Sequence, residues 1–392
     1  MIDTVAFYAP LKSPDHPTPS GDRRMARALI TALEQGGHEV TLASRFRSYD
    51  RNGDRERQIR LRRLGTRFAN RLIKRYETMP DTRRPKAWIT YHGYHKSPDW
   101  LGPAVQQALC IPYVMIETSI AGKQAGGPWD LGHRSTETGL QAADVILAMT
   151  RVDQAGLAPL IRPPGRLTRL PPFLDPKPYR EAHQARARCR RELSGRFGLD
   201  CHKPWLLAVG MMRDDVKCQS YEALAEVLQR LTDYSWQLLI VGGGVALPRI
   251  EKAFRSFGSE RVRYAGILAE DRLPACYAAA DVYAWPAIRE AYGMAFLEAQ
   301  ASGLPVVAGR EGGVQDVVRD GVTGLLTNPR DLDAMAAALA TLLNDQVQRS
   351  AMSQAAQAFV EEEHSLEHAT CVLRQALIDA SVIRDVKIGR CG

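Results

Sequence analysis

Short apolar segments alternate with amphipathic stretches over most of the chain. The apolar segments contain few polar residues, which is typical of parallel strands buried on both faces. The stretches between them place apolar residues at helical spacing, as in Asp22–Glu34, Tyr221–Leu231 and Leu332–Leu343. This order of strands and helices predicts doubly wound α/β sheets. The predicted strands are Val5–Ala9, Val40–Ala43, Trp88–Tyr91, Tyr113–Ile116, Val145–Ala148, Leu206–Val209, Leu238–Val241, Val262–Tyr264, Val282–Ala284 and Val306–Ala308.

A proline-rich segment from Pro163 to Pro178 interrupts this alternation near the middle of the chain. A basic helix is predicted to follow at Ala182–Phe197, and the alternation resumes at Trp205. With 392 residues, the chain is long enough for two domains that each bury a core. We therefore predict two Rossmann-like domains, with ligands bound beyond the carboxyl ends of the strands, in the cleft between the domains.

The composition is that of an ordinary globular protein, with 45% hydrophobic and 24% charged residues. It excludes disordered, collagen-like and coiled-coil proteins. No apolar run approaches the ~18–20 residues of a membrane span, and the N-terminus lacks a secretory signal pattern. No Cys-x-x-Cys pair occurs, so we predict neither a disulfide framework nor a zinc site, and expect a reduced cytosolic protein. The scattered cysteines are Cys110, Cys189, Cys201, Cys218, Cys276, Cys371 and Cys391.

Positive charge is concentrated in one segment. The formal net charge is +8, yet Arg45–Lys86 alone contains 15 Lys or Arg against 5 Asp or Glu, a balance of +10 that leaves −2 for the rest. Such a segment attracts nucleic acid, an anionic membrane surface or an acidic polymer, or it is simply a solvated helical surface. No RNA-binding motif, zinc finger or helix-turn-helix pattern accompanies it, so nucleic acid is the least favoured partner.

Two glutamates separated by seven residues follow the strand Val282–Ala284. We predict Glu290 in a loop, Gly293 near the first turn of a helix, and Glu298 about one and a half turns further along. A helix N-terminus offers free N–H groups and positive charge to phosphate, and glycine lets a ligand approach the backbone. A carboxylate further along can accept hydrogen bonds from a ribose diol.

The chain continues with Gly303-Leu304-Pro305-Val306-Val307, then Gly312-Gly313, then Asp320-Gly321-Val322-Thr323-Gly324. In order and spacing, the stretch from Trp285 to Gly324 resembles the nucleotide-binding half of the GT-B glycosyltransferases, specifically glycosyltransferase family 4. The resemblance implies an acceptor-binding domain at 1–172, a nucleotide-sugar-binding domain at 173–366, and a C-terminal helix at 367–392 that returns to the first domain. It also implies transfer with retention of anomeric configuration.

Other segments agree with this resemblance and imply a set of donor contacts. Arg213 and Lys217 are implied to hold the diphosphate, although Arg213 falls three residues after Gly210, where many family members have arginine one residue after the glycine. Glu290 is implied to contact the sugar hydroxyls and Glu298 the ribose. The catalytic candidates are therefore Glu290, Arg213 and Lys217. The remaining donor-binding candidates are Gly21, Gly210, Gly266, Ile267, Ala291, Tyr292, Gly293, Met294 and Ala295.

The N-terminal half resembles the family less closely. Members often carry a histidine after the strand that corresponds to Tyr113–Ile116, whereas this chain has Glu117-Thr118-Ser119. The candidates on the acceptor side are His92, His95, Glu117, Thr118 and His133. For any single histidine, a satisfied loop residue is the favoured interpretation.

No cofactor is expected. Leu247 stands where a dinucleotide fingerprint after Gly242-Gly243-Gly244 requires a small residue, and the resemblance implies no essential metal. A UDP-sugar is favoured over a GDP-sugar by family frequency, with a glycan, lipid-linked or small-molecule acceptor. The predicted location is the cytoplasm, with peripheral attachment to the inner membrane face through Arg45–Lys86. A sugar-nucleotide epimerase and a non-catalytic nucleotide-sugar-binding protein remain alternatives.

Overall fold

The computed structural model describes residues 3–18 and 20–389. The chain divides into two compact units. The first comprises Met1–Pro171 and Leu366–Gly392, and the second comprises Pro172–Ser365. The division near the middle falls inside the proline-rich segment.

The first unit is built on a six-stranded sheet in the order β2-β1-β3-β4-β5-β6, with every pair parallel. Strands β1, β3, β4 and β5 are buried along their whole length, because helices cover both faces of the sheet. The strands are β1 Thr4–Tyr8, β2 Glu39–Ser44, β3 Ala87–Tyr91, β4 Tyr113–Ile116, β5 Val145–Ala148 and β6 Leu167–Arg169.

Some helices of this unit begin at residues whose polar side chains cap the helix N-terminus. The Ser20 hydroxyl accepts a hydrogen bond from the Arg23 amide at the start of α1, and Asp54 caps α2 in the same way through Arg57. The helices are α1 Gly21–Gln35, α2 Arg55–Glu77, α3 Gly102–Leu109, α4 Asp130–Ala142, α5 Arg151–Leu157 and, from the C-terminal segment, α16 Leu366–Gly389.

The C-terminal helix α16 packs against α1, β4 and β5 of the first unit. Its attachment includes a fully buried carboxylate, that of Asp144. Asp144 accepts a hydrogen bond from Lys387 Nζ at 2.6 Å and lies 3.0 Å from Arg384 Nη2. It also accepts the Tyr113 backbone N–H at 3.0 Å, so the same carboxylate joins α16 to the sheet.

The second unit carries another six-stranded parallel sheet, in the order β12-β11-β10-β7-β8-β9. Its core contains several fully buried large aromatic side chains, among them Trp205, Trp236, Tyr221 and Tyr283. The strands are β7 Trp205–Val209, β8 Gln237–Val241, β9 Val262–Gly266, β10 Val282–Trp285, β11 Val306–Gly309 and β12 Gly324–Thr327. The helices are α6 Lys177–Gln184, α7 Arg186–Phe197, α8 Val216–Gln229, α9 Leu247–Phe254, α10 Gly258–Arg261, α11 Leu273–Ala279, α12 Met294–Ala301, α13 Val314–Val317, α14 Leu332–Asn344 and α15 Gln346–Glu363.

Every strand predicted from an apolar run is present, with ends shifted by at most two residues. Two strands were not predicted, β6 and β12, and both are edge strands that keep partly exposed residues. The helix predicted at Ala182–Phe197 is instead two helices that meet at Ala185. Helix α8 begins five residues before the predicted start, because Asp215 caps it through the Lys217 amide.

Within the described residues, no helix is both long and apolar enough to cross a membrane. Six of the seven cysteines lie in the described part of the chain, and they form no disulfide there. Cys391, at the end of the segment predicted as the returning helix, lies outside the described residues.

Candidate functional site

The carboxyl ends of β7 and β10 bring a lysine and a glutamate together in the second unit. Lys217 Nζ, in the first turn of α8, is hydrogen-bonded to Glu290 Oε2, and their side chains are only 20% and 13% exposed. Trp285 Nε1, at the end of β10, donates to the same oxygen at 3.2 Å. The ammonium also lies 5.4 Å from the centre of the Trp285 ring. An ion pair, an indole and a helix N-terminus therefore meet at one edge of the sheet.

The loop that carries Glu290 has a strained backbone. Ala287 and Arg289 have positive φ values, 59° and 50°, which residues other than glycine rarely adopt. Gly293 follows at φ 72°, and a Cβ there would lie 2.7 Å from the Phe296 ring. A Cβ on Gly312 would lie 2.3 Å from the Glu290 carbonyl oxygen. Strain of this kind clusters at functional sites, where the surrounding structure maintains it.

Helix α12 begins at Met294, immediately after this loop, and Gly293 supplies no side-chain cap. Its first amides, including those of Met294 and Ala295, have no acceptor within the helix. Exposed Ala291 and half-buried Tyr292 lie in the preceding loop. The predicted order of loop, glycine and helix is therefore present, with Glu298 on the second turn.

Glu298 lies deeper than the other candidates. It is 2% exposed, and its Oε2 accepts a hydrogen bond from the Tyr277 hydroxyl at 2.6 Å. Burial, and then the charge of Glu298, raise the pKa of Tyr277 well above its ordinary value, so the phenol stays a donor. The predicted contact of Glu298 with ribose stays a prediction.

Arg213 and Lys217, the two side chains predicted to contact phosphate after β7, lie in different surroundings. The carbonyl of Gly210 accepts a hydrogen bond from the Tyr221 hydroxyl at 3.0 Å, and a Cβ on Gly210 would lie 3.3 Å from that hydroxyl. Lys217 points to Glu290, as described. Arg213 instead lies at the surface, 53% exposed, with its Nε 3.0 Å from Asp215 Oδ2.

The loops after β7, β8 and β9 approach one another through glycine. Gly242 donates to the Gly266 carbonyl at 2.9 Å, and a Cβ on Gly242 would lie 1.9 Å from the Gly210 oxygen. Gly266 has φ 69°, and the next residue, Ile267, is 81% exposed. The glycine run at 242–244 thus allows these loops to pack closely, and the side chain of Ile267, a predicted donor-binding residue, stays exposed.

In the first unit, three titratable side chains gather at the carboxyl edge of the sheet. Asp22 Oδ1, from the first turn of α1, lies 3.0 Å from His92 Nδ1, and Glu117 Oε2 lies 3.9 Å from the same nitrogen. His92 directly follows β3 and Glu117 directly follows β4. Burial lowers the pKa of His92, but the charges of Glu117 and Asp22 outweigh it and raise that pKa overall. Burial raises the pKa of Glu117 despite the nearby imidazole.

The other candidates of the first unit lie around this cluster. Gly21 begins α1, and a Cβ there would meet nothing within 4 Å. The His95 ring packs edge-on against Trp129 at 5.8 Å. Thr118 and His133 are 0% and 3% exposed, which places both beneath the surface. His133 lies within α4, with its Nε2 3.5 Å from Glu137 Oε1.

Three residues at these sites were not predicted as functional. Trp285 only began the stretch that resembles the family, Asp22 only began a predicted helix, and Tyr277 was given no functional role. The position of Asp22 directly after Ser20-Gly21 was a usable signal for its placement at a ligand-facing helix end. No nearby sequence pattern identifies Trp285 or Tyr277 as functional, because tertiary packing determines which residues they contact.

Known proteins are similar to this chain in sequence. A family described as glycosyl transferases group 1 matches residues 203–345. The GDP-mannose-dependent alpha-(1-6)-phosphatidylinositol monomannoside mannosyltransferase of Mycobacterium tuberculosis is 30% identical over 276 residues, 67% of this chain and 70% of that enzyme. The D-inositol 3-phosphate glycosyltransferase of Corynebacterium efficiens is 34% identical over 223 residues, 54% of this chain and 51% of that enzyme. For several curated relatives, the match thus spans only about half of their length.

The fold is similar to those of solved glycosyltransferase structures. The sucrose-phosphate synthase of Thermosynechococcus elongatus has a TM-score of 0.69 at 20% identity, over 95% of this chain and 98% of that one. Together with the two parallel six-stranded sheets, such matches confirm the predicted α/β GT-B fold class. The resemblance to glycosyltransferases is also confirmed, whereas the assignment to family 4 stays a prediction.

Proposed function

Because this chain belongs to the group 1 glycosyl transferases, we propose that it transfers a hexosyl group from a nucleotide-sugar to a hydroxyl of an acceptor. The observation that supports this most is the Lys217–Glu290 pair beside the uncapped N-terminus of α12. An ammonium and free helix amides suit a diphosphate, and a carboxylate next to them suits sugar hydroxyls.

The proposed reaction retains the anomeric configuration. The bond between the anomeric carbon and the diphosphate breaks, the bond to the acceptor oxygen forms on the same face, and a diphosphate oxygen takes the acceptor's proton. Negative charge grows on the diphosphate as it leaves, and Lys217 offsets it from a position with little solvent screening. Glu290 then exchanges its contact with Lys217 for the sugar hydroxyls. We propose no metal for this step, and the assay is run with and without a chelator.

The names of the relatives suggest which nucleotide-sugar donor to test first. Mycobacterial relatives are named as GDP-mannose-dependent enzymes, which favours GDP-mannose as the first donor to test. The expectation of a UDP-sugar rests on family frequency and stays untested, so UDP-glucose and UDP-galactose belong in the same panel. For the acceptor, the names of two kinds of relative share an inositol unit, so we propose a polyol or inositol-bearing acceptor, free or lipid-linked.

One experiment separates this proposal from its alternatives. The protein is incubated with each nucleotide-sugar, with and without phosphatidylinositol or inositol phosphate, and products are identified by mass spectrometry. Acceptor-dependent release of nucleoside diphosphate supports transfer, and NMR of the product's anomeric centre tests retention. A changed sugar epimer without any acceptor would indicate an epimerase. Binding without turnover would indicate a non-catalytic protein.

We further propose that the enzyme works in the cytoplasm and attaches to an anionic membrane face through the segment Arg45–Lys86. Helix α2 within this segment carries nine Lys or Arg and two Glu, and all nine basic residues are exposed. The side of α2 that faces the protein carries buried residues such as Ala69 and Leu72. On the exposed side of the helix, Leu64 is the one large apolar residue. The helix therefore suits electrostatic attachment rather than insertion.

Vesicle binding tests the role of α2. The variant Arg63→Gln/Arg67→Gln/Arg71→Gln is expected to lose about 100-fold in partitioning onto anionic vesicles, since each basic residue near such a surface contributes ~1 kcal/mol. Binding by the unmodified protein is expected to fall between 0.1 M and 1 M salt, because the screening length shrinks from ~10 Å to ~3 Å. Co-sedimentation measures both effects.

A matched control removes the same charge elsewhere. Arg188, Arg191 and Arg196 are exposed on α7 of the second unit, and their replacement by glutamine is expected to leave vesicle binding unchanged. Equal binding to neutral and anionic vesicles, or equal losses in both triple variants, would contradict the proposed attachment.

The two glutamates of the donor site are expected to act at different stages. Glu298→Gln should weaken binding of the free nucleoside diphosphate, because it removes the charge proposed to hold the ribose diol. Glu290→Gln should mainly lower transfer and leave nucleoside diphosphate affinity nearly unchanged. Calorimetry and steady-state kinetics measure the two effects, and Tyr277→Phe, which removes the Glu298 hydrogen bond but keeps the carboxylate, is the control for packing. The reverse pattern would exchange the two roles.

A further inference from the structure

The C-terminal helix α16 presents an apolar stripe to solvent. Ile378, Val382 and Val386, spaced four residues apart, are 50%, 59% and 50% exposed. Elsewhere in the part of the chain that the structure describes, no helix carries more than one comparably exposed large apolar side chain. Single apolar residues are ordinary on a protein surface, whereas a contiguous apolar patch marks an interaction site.

We propose that this stripe pairs with the same stripe on a second copy of the chain, with the two α16 helices antiparallel about a two-fold axis. The inference concerns self-association. It goes beyond the proposed function and does not rest on it. None of the candidate donor or acceptor residues lies on α16, so the two proposals are tested separately.

The stripe lies on the side of α16 that faces away from the first unit. Leu373, Leu377 and Ala380 are buried against that unit. At 3.6 residues per turn, these buried positions centre on the opposite side of the helix from Ile378 and Val382. Isoleucine and valine also form helices less readily than alanine, lysine or glutamate. Neither attachment to the sheet nor helix formation therefore accounts for the apolar residues of the stripe.

Two oppositely charged side chains border the stripe. Arg374 and Asp385 are exposed, and neither forms an ion pair with another residue of the described ranges 3–18 and 20–389. They are eleven residues apart, which is about three helical turns, so both lie along one edge of the stripe. Each therefore has a charge available for a partner beside the apolar residues.

One register satisfies the charges and the apolar groups together. The midpoint between Arg374 and Asp385 and the midpoint between Ile378 and Val382 fall within one residue of each other along the helix. In an antiparallel pair centred there, Arg374 of each copy lies opposite Asp385 of the other, and Ile378 of each lies opposite Val382. A two-fold axis repeats every contact, so two ion pairs border the apolar centre.

Charge also decides the orientation of the two helices. A parallel pair would place Arg374 opposite Arg374 and Asp385 opposite Asp385, and like charges that face each other oppose association. The antiparallel pair replaces both of these repulsions by attractions.

The other charged side chains of α16 contribute little to this choice. Arg384 and Lys387 contact Asp144, on the side of the helix that faces the sheet. Asp379 accepts a hydrogen bond from Gln375 at 2.8 Å, at the other edge of the stripe. The two copies of Asp379 would lie about as far apart as the axes of packed helices, ~8–10 Å, where water and salt weaken their repulsion. Two further residues lie near the start of the helix, outside the paired interval: Glu367 and His368.

Sedimentation velocity over a series of protein concentrations measures the association. The paired interval spans only ~17 Å of helix, and small interfaces bind weakly, so dimers are expected at micromolar rather than nanomolar concentration. Val382→Glu should raise the dissociation constant more than about 10-fold, because it brings carboxylates without partners into the apolar centre. Val347→Glu, at an exposed valine on α15 of the second unit, is the matched control and should leave association unchanged.

Charge reversal tests the antiparallel register. Arg374→Glu alone, or Asp385→Arg alone, places like charges opposite each other in both ion pairs and should raise the dissociation constant about 3- to 30-fold. The double variant Arg374→Glu/Asp385→Arg restores both attractions and should return the dissociation constant close to that of the unmodified protein. A parallel pair predicts no such recovery, because each residue would still face its own copy.

Three outcomes would overturn the inference. The first is a monomer at every concentration that the protein reaches, and the second is association that Val382→Glu leaves unchanged. The third is a double charge variant that associates no better than the two single variants. If a monomeric protein binds vesicles less well after Val382→Glu, the stripe contacts lipid and not a second copy. Nucleotide-sugar turnover plays no part in these measurements, so failure of the proposed function would leave their result intact.

Discussion

Replacement of Lys217 by alanine is expected to lower kcat/KM for transfer by about 10- to 150-fold, because one charge-assisted contact to the diphosphate contributes ~1.5–3 kcal/mol. The ammonium is only 20% exposed and lies against Glu290 and the Trp285 ring, so water screens it little. Arg213 is 53% exposed and paired with Asp215, and Arg213→Ala should therefore cost less than Lys217→Ala. Steady-state kinetics with the donor identified in the panel measure both.

Two further variants make the result specific to this ammonium. Lys217→Arg keeps a cation at the site and should retain more activity than Lys217→Ala. Lys252→Ala removes an exposed ammonium from α9 of the same unit and should leave kcat/KM unchanged. Wild-type rates in both Lys217→Ala and Arg213→Ala, with unchanged melting temperatures, would refute the assignment of the diphosphate site.

The double variant Arg384→Met/Lys387→Met is expected to destabilise the first unit by about 3–5 kcal/mol, because it leaves a buried carboxylate without either of its salt-bridge partners. Asp144 is 0% exposed, and both of its salt bridges within the described residues are to helix α16. The charge of Arg166 also acts on Asp144. Loss of the two salt bridges should also loosen the helix. Urea unfolding measures the change in the free energy of unfolding, and limited proteolysis reports release of the C-terminal helix.

Addition of Asp144→Asn to the double variant provides the matched control. Asparagine removes the unpaired charge, while its side-chain oxygen can still accept the Tyr113 amide that Asp144 accepts. The triple variant should therefore recover most of the lost stability. Lys387→Met alone should cost less than the double variant, because Arg384, 13% exposed, remains beside the carboxylate. A triple variant as unstable as the double variant would show that packing of the long side chains, and not charge, attaches the helix.

Comparison of the two sites shows which residues a linear motif can place. Glu290, Gly293 and the start of α12 occur where the sequence predicted them, because all lie within one strand–loop–helix unit whose geometry is local. Lys217, the partner of Glu290, was predicted to have a different role. Lys217 was expected to hold phosphate, and its contact with Glu290 joins residues 73 positions apart in the sequence. Such a contact depends on the order of β7 and β10 in the sheet.

The sequence by itself determined the elements that depend on short-range physics. Unbroken apolar runs predicted the central strands, and glycine and acidic residues after Trp285 predicted the donor loop. Edge strands β6 and β12 were not predicted, because a strand with one face in solvent needs no continuous apolar run. Only the tertiary structure decided that Asp22, His92 and Glu117 meet, that Tyr277 supports Glu298, and that Asp144 binds α16. These contacts join distant segments, and their energies arise from burial and charge that exist only after the sheets have formed.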